Sequence, residues 1–215
     1  MGDISRHLFV ASGFASLACC VLSGCAGRFP QDSFFSPVEK ERDEVARSAS
    51  GQYGFWHDPS LCVGCGRCIE ACRGSAPEGV LDRRWLRRYR FSTDEERTVS
   101  WSCMHCEQPA CVEVCPASAV SKGDDGLVTV DGSRCIGCRY CGQACPFSVP
   151  SYTSTGMDKC DGCKKGDVEL AAEPRCVEAC PLGALKFGDF SQLKLEAGSN
   201  ARVPCAPTNP AFLIS

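Results

Sequence analysis

Aromatic residues are scarce in this chain, at 8% of 215 residues, and only three histidines and three methionines occur. Glycine (21) and proline (13) are frequent. An ordinary apolar core would therefore be thin for this length. His7, His57 and His105 are scattered and form no catalytic or histidine-ligand motif; His105 reads as a loop residue. Positive charge is not in excess either, since the formal net charge is -3, which argues against a nucleic-acid coat or a basic membrane binder. The longest apolar run, Leu8 to Leu22, is interrupted by Gly and Ser and is too short for a membrane span.

Cysteine is what the chain has in excess, twenty in all. That density signals a disulfide scaffold, zinc sites or iron-sulfur clusters, and spacing separates them. Sixteen of the twenty fall into four motifs: Cys62, Cys65, Cys68, Cys72; then Cys103, Cys106, Cys111, Cys115; then Cys135, Cys138, Cys141, Cys145; and Cys160, Cys163, Cys176, Cys180. Proline follows the last cysteine of motifs two, three and four (Pro116, Pro146, Pro181).

Motifs one and three have the C-x2-C-x2-C-x3-C spacing of bacterial ferredoxins, whose fourth cysteine ligates the other cluster of a pair. Three thiolates spaced by two residues wrap one cluster, and the fourth, a helical turn further on, serves a neighbour. Gly64, Gly66, Gly137 and Gly162 lie in these loops, where backbone must approach a bulky group closely. Closed zinc sites need groups of four, which leaves the third cysteine of motifs one and three surplus; motif four alone also suits zinc. Disulfides would leave a strained scaffold at such short spacings. We therefore expect 4Fe-4S clusters, and a largely disordered chain without them, because a metal site that organises its own ligands supplies folding free energy.

No competing chemistry stands out. Gly64-Cys65-Gly66 imitates a dinucleotide loop, but its third glycine position is Ile69. The basic segment Arg83 to Arg90 is followed by Asp94-Glu95-Glu96, which predicts a self-paired, solvated hairpin, with a partner-docking surface as the second reading.

The pattern divides the chain into residues 1-25, an export signal; 26-51, a charged, Pro- and Ser-rich linker with a short helix over 37-47 capped by Ser36; a body over 52-190; and an extended, proline-containing tail over 191-215. Strands are predicted at 53-57, 98-101, 119-122, 127-130 (the last two joined by the Asp125-Gly126 turn) and 184-187. Short strands alternating with short helices make the fold class α+β, with ferredoxin-like cluster loops larger than the elements they join. Cys19 and Cys20 read as apolar signal residues, and Cys205 as a free tail thiol.

The motif order, with Cys176 well beyond Cys163, resembles the iron-sulfur subunits of the dimethyl sulfoxide reductase family and of the related nitrite, tetrathionate and polysulfide reductases. Gln52-Tyr53-Gly54-Phe55, Cys135-Ile136-Gly137-Cys138-Arg139-Tyr140-Cys141 and Lys159-Cys160-Asp161-Gly162-Cys163 carry the likeness. The resemblance implies two pseudo-symmetric ferredoxin-like halves, one from motifs one and four, the other from motifs two and three at 101-149. It implies four 4Fe-4S clusters, held by Cys62, Cys65, Cys68 and Cys180; by Cys160, Cys163, Cys176 and Cys72; by Cys103, Cys106, Cys111 and Cys145; and by Cys135, Cys138, Cys141 and Cys115. In some relatives a tryptophan at the second position of motif three leaves a three-iron cluster; here that residue is Cys138. The implied role is a non-catalytic electron-transfer subunit. It would relay electrons between a membrane quinol-oxidising subunit and a molybdopterin-containing catalytic subunit of an anaerobic respiratory reductase, with no small-molecule substrate of its own and no nucleic-acid partner.

At the N-terminus, Ser5-Arg6-His7-Leu8-Phe9-Val10 resembles the twin-arginine export motif with His7 in place of the second arginine, and Leu22-Ser23-Gly24-Cys25 resembles a lipoprotein lipobox with Cys25 as the lipidated residue. Clusters are inserted before export, so a folded-protein exporter is needed. The resemblance places the body at the outer face of the bacterial cytoplasmic membrane, lipid-anchored, with the cytoplasmic face as the alternative.

Overall fold

A computed structural model describes residues 35-37, 51-74, 83-90, 95-164 and 173-215. The export signal, Cys25 and the helix expected over 37-47 lie outside the described residues, apart from Pro37. Ser36 is the middle residue of a short strand, β1 (Phe35–Pro37).

The fold is α+β. Its largest sheet has five strands in the order β1, β10 (Arg202–Pro204), β11 (Phe212–Ile214), β2 (Tyr53–His57) and β9 (Leu185–Asp189). Only β11 and β2 run parallel, with Phe212, Leu213 and Ile214 opposite Phe55, Trp56 and His57. Three separate two-stranded hairpins complete the β structure of the described residues: β3 (Trp85–Arg90) with β4 (Glu96–Trp101), β5 (Val120–Lys122) with β6 (Val128–Val130), and β7 (Ser151–Thr153) with β8 (Gly156–Asp158). The expected β5-β6 turn closes at Asp125-Gly126, where Gly126 has φ 75° and the Asp125 carboxylate accepts from Leu127 N at 3.0 Å.

The helices among the described residues are short. They are α1 (Arg67–Arg73), α2 (Ala110–Glu113), α3 (Tyr140–Ala144), α4 (Arg175–Glu178) and α5 (Phe190–Ala197). Helix α1 packs on α4 and α2 on α3, while α5 covers β2, β9 and β11. Among the described residues, no helix is long and apolar enough to cross a membrane.

The tail expected to be extended is instead part of the body. Asp189 caps α5, its carboxylate accepting from the N–H groups of Ser191 and Gln192 at 3.0 Å each, so the chain turns into a helix directly after β9. The run Phe212-Leu213-Ile214 is buried on both faces, as alternation in a covered strand requires. Phe212 and Ile214 join the main core with Phe55, Trp101 and Leu185, and Leu213 joins Phe190 and Leu193 beneath α5. Three prolines nearby do not prevent this, because the strand itself contains none.

Candidate functional site

Each cysteine motif folds the same way locally. The third cysteine is the second residue of a helix in all four: Cys68 in α1, Cys111 in α2, Cys141 in α3 and Cys176 in α4. The fourth follows four residues later, about 6 Å further along a helical axis, so one helical turn carries the chain from one thiol group toward the next. Ahead of the helices, Gly64, Gly137 and Gly162 adopt φ of 68°, 68° and 71°. A Cβ at Gly137 would meet nothing within 4 Å, so backbone conformation, rather than crowding by the chain, is what asks for glycine there. After the fourth cysteine, the Cys-Pro-x-Ser/Gly segments close a repeated turn: Ser118, Ser148 and Gly183 take positive φ and donate to the carbonyls of Cys115, Cys145 and Cys180 at 3.2, 3.2 and 3.3 Å.

The helix pairing gathers thiols from distant motifs. One pocket is lined by Cys62, Cys65, Cys68 and Cys180, and another by Cys115, Cys135, Cys138 and Cys141. Cys72, Cys163 and Cys176 interact electrostatically, with Cys160 beside Cys72 and Cys176; Cys103, Cys106, Cys111 and Cys145 form a further group. Cys176 also feels Cys68, and Cys160 feels Cys103, so three groups follow one another in space. Cys205 belongs to none and is exposed.

The seventeen cysteines among the described residues are all unbridged. Nor do three His, Cys, Asp or Glu side chains among those residues converge closely enough to share one metal ion. The thiols instead line pockets, four to each of two. The electrostatics of these thiols fit a bound cation. Burial, first of all, pushes Cys72 and Cys111 up to about 12 and Cys106 to about 11, with neighbouring thiols adding to the rise. Cys160, Cys176, Cys145 and Cys62 are raised for the same leading reason. A thiolate is unstable there until a cation compensates it, and metal binding then expels the proton. Cys115 differs: burial still opposes its charge, but N–H groups of Ala119, Val120 and Ala117 outweigh it and lower the pKa. Polar neighbours already point at sulfur, with Ala119 N 3.2 Å from Cys115 Sγ, Met157 N 3.3 Å from Cys135 Sγ and Tyr152 Oη 3.4 Å from Cys141 Sγ.

The basic segment is a hairpin, as expected, and its far end is solvated: Arg88 and Arg90 lie 3.8 and 3.6 Å from the Glu96 carboxylate. Its near end departs from that reading. Arg83 is buried and forks onto Asp158 through Nε (2.5 Å) and Nη2 (2.9 Å), with Asp161 at 3.7 Å, which clamps the start of motif four. Arg84 is wholly buried beside thiols of motifs one and four. His105 is a loop residue, as expected, but fully buried; its Nδ1 accepts from Val128 N at 3.0 Å, and burial holds its pKa well below the usual value. Lys159 is buried too, donating to the carbonyls of Val128 and Cys160. Nothing in local composition marks these four; of the described residues of the acidic run, Glu96 pairs with Arg88 and Arg90 and Glu95 with Arg97.

Two models of the 4Fe-4S dicluster domain match the chain, over residues 61–120 and 95–190. The B subunit of the anaerobic dimethyl sulfoxide reductase of Escherichia coli (strain K12) is 42% identical over 183 residues, covering 76% of this chain and 88% of that one. The probable anaerobic dimethyl sulfoxide reductase subunit YnfG of the same organism is 41% identical over 181 residues, with the same coverage. The chain belongs to the iron-sulfur subunits of the dimethyl sulfoxide reductase family. Protein NrfC of the same strain is 42% identical over 148 residues, 65% of this chain and 66% of that one. The iron-sulfur subunit is accordingly an electron-transfer component of the anaerobic reductase type that carries 4Fe-4S clusters, the group its buried, unbridged thiols suit.

Proposed function

We propose that this subunit holds four 4Fe-4S clusters in two pseudo-symmetric ferredoxin-like halves and relays electrons between a membrane quinol-oxidising subunit and a molybdopterin catalytic subunit, itself making or breaking no substrate bond. The first half carries Cys62, Cys65, Cys68 and Cys180 on one cluster and Cys72, Cys160, Cys163 and Cys176 on its neighbour. The second carries Cys103, Cys106, Cys111 and Cys145, then Cys115, Cys135, Cys138 and Cys141. One observation carries this reading: the thiol neighbourhoods cross between motifs, with Cys180 joining motif one's pocket and Cys115 motif three's, as α1 on α4 and α2 on α3 allow.

Bound clusters supply one-electron transfer; the chain's own residues hold, space and insulate them. Thiolates fix each group, buried apolar side chains such as Val177 and Met157 exclude water, and N–H donors to sulfur tune it. The two outer pockets are rimmed by exposed apolar residues. Val63 is 72% exposed, with Leu61 and Leu182 lining the same pocket, and Ile136, on the other, is 69% exposed. Such rims suit partner docking at both ends. In this proposal the Val63 end meets the catalytic subunit and the Ile136 end the membrane subunit. Residues 52-190 contribute the ligands, with the segment through Ser215 completing the body. Residues 1-25 export the folded chain, and Cys25 anchors it outside the cytoplasmic membrane.

Iron analysis with EPR on anaerobically purified protein tests the cluster count: about sixteen irons per chain are expected, four per cubane. Well under that number after full reconstitution, or a three-iron signal that reconstitution cannot remove, overturns it. Co-purification from the native host with a molybdenum subunit tests the partners. Mass spectrometry of the mature N-terminus tests export, and an intact Met1 in membrane-associated protein refutes it.

A further inference from the structure

Arg84 has no solvent exposure, yet only one of its three guanidinium nitrogens meets a protein acceptor: Nη1 donates to Ser100 Oγ at 2.9 Å. Nε and Nη2 are buried without a hydrogen-bond partner. An unpaired buried guanidinium is costly, and a native fold retains one where something anionic meets it. The guanidinium carbon lies 4.9 Å from the centre of the Phe55 ring, which holds the group in place without satisfying its donors.

The anionic surroundings are cysteines. Cys176, Cys160, Cys72 and Cys68 are its interacting neighbours, the first three from one proposed cluster and Cys68 from the next. Ser100 Oγ, which accepts from Arg84, is itself 3.5 Å from Cys68 Sγ. Carboxylates are not part of this set; Asp158 and Asp161 are engaged by Arg83. Arg84 therefore faces the interval between the two thiol groups of the first half.

We propose that Arg84 is the buried counter-charge of the cluster pair in the first half, donating from Nε and Nη2 to cluster sulfur and raising the reduction potentials of that pair. Reduction adds one electron and no proton at Arg84, so a fixed positive charge favours the reduced, more negative state. This rests on the four-cluster reading above. Arg84 is a positioning and tuning residue, not a ligand.

The test is an EPR-monitored redox titration of the fully loaded subunit, with dithionite as reductant, for the wild type, Arg84→Gln and Arg84→Lys. For charges several ångströms apart at an effective dielectric near 20, Arg84→Gln should lower the reduced-to-oxidised ratio of one or two clusters by about 10- to 100-fold. That is a fall of roughly 60 to 120 mV at 59 mV per tenfold. Arg84→Lys, which keeps the charge but loses donors, should move the same signals in the same direction by roughly threefold on that dielectric. Four unchanged potentials in iron-replete Arg84→Gln, or an equal shift in all four, overturn the proposal. Should Arg84→Gln not take up iron, Arg84→Lys decides alone: a shift confined to the same signals supports it, and none or a uniform one refutes it. A wild type that lacks four clusters refutes the underlying reading instead, and iron analysis separates that failure from this one.

Discussion

Phe212 offers the sharpest test that the C-terminal segment is core. Its side chain has no solvent exposure, its ring centroid lies 5.9 Å from that of Trp101, and it stands opposite Phe55 in the parallel β11-β2 pair. Phe212→Ala removes a whole buried ring from a strand held on both sides, where collapse into the space is restricted. The expected cost is about 3 to 5 kcal/mol, a large part of the ~5 to 15 kcal/mol typical of a domain. At about 2 to 4 °C per kcal/mol for a chain of this size, the unfolding midpoint should fall by about 6 to 20 °C. The assay is anaerobic thermal unfolding of the iron-loaded subunit, followed by loss of visible absorbance. Leu195→Ala, on the exposed side of α5 at 56% exposure, is the control and should stay within about 0.5 kcal/mol. If Phe212→Ala shifts the midpoint no more than Leu195→Ala, β11 is not part of the core.

Three further outcomes follow from the same structure. A Cβ at Gly54 would lie 2.5 Å from the Ala211 carbonyl oxygen and 2.6 Å from Phe190 Cδ2, so Gly54→Ala should cost about 1 to 3 kcal/mol in thermal unfolding. Cys138→Ser should lose roughly one to four of the irons and create a three-iron signal or an empty site, whereas Cys205→Ser should change neither iron content nor EPR spectrum. His57 has its pKa lowered from 6.5 to about 4, by burial first and Arg84 second, against the pull of Asp58. The unfolded chain therefore takes up this proton before the folded one. Stability is unaffected by it above pH 6.5 and falls by up to about 3 kcal/mol as pH drops toward 4. Denaturant unfolding of His57→Leu across that window should show a shallower pH slope than the wild type; equal slopes refute this.

Much of the local structure was legible because its causes are local. Tyr53 to His57 forms β2, the Asp125-Gly126 pair turns β5 into β6, and the third cysteine of every motif is the second residue of a short helix. The misreadings share one cause, which is composition standing in for burial. Three prolines made residues 191-215 look extended, although Asp189 supplies a cap and Phe212 to Ile214 an uninterrupted apolar strand. A neighbouring acidic run made the arginine segment look solvated. In the folded chain Glu96 reaches Arg88 and Arg90, four residues or more beyond the pair that turns inward.

By itself the sequence determined the donor chemistry: thiols, their spacing within each motif, and the one-turn step from third to fourth cysteine. These depend on neighbours along the chain, where peptide geometry leaves few choices. Tertiary structure alone decided which distant thiols stand together, through the packing of α1 on α4 and α2 on α3, and that Arg84 is sealed in with two unpaired donors. It also decided that β11 takes the centre of the five-stranded sheet, between β10 and β2. Strand pairing and burial depend on contacts between residues far apart in sequence, so the same apolar or basic segment can face water in one fold and a buried row of thiols in another.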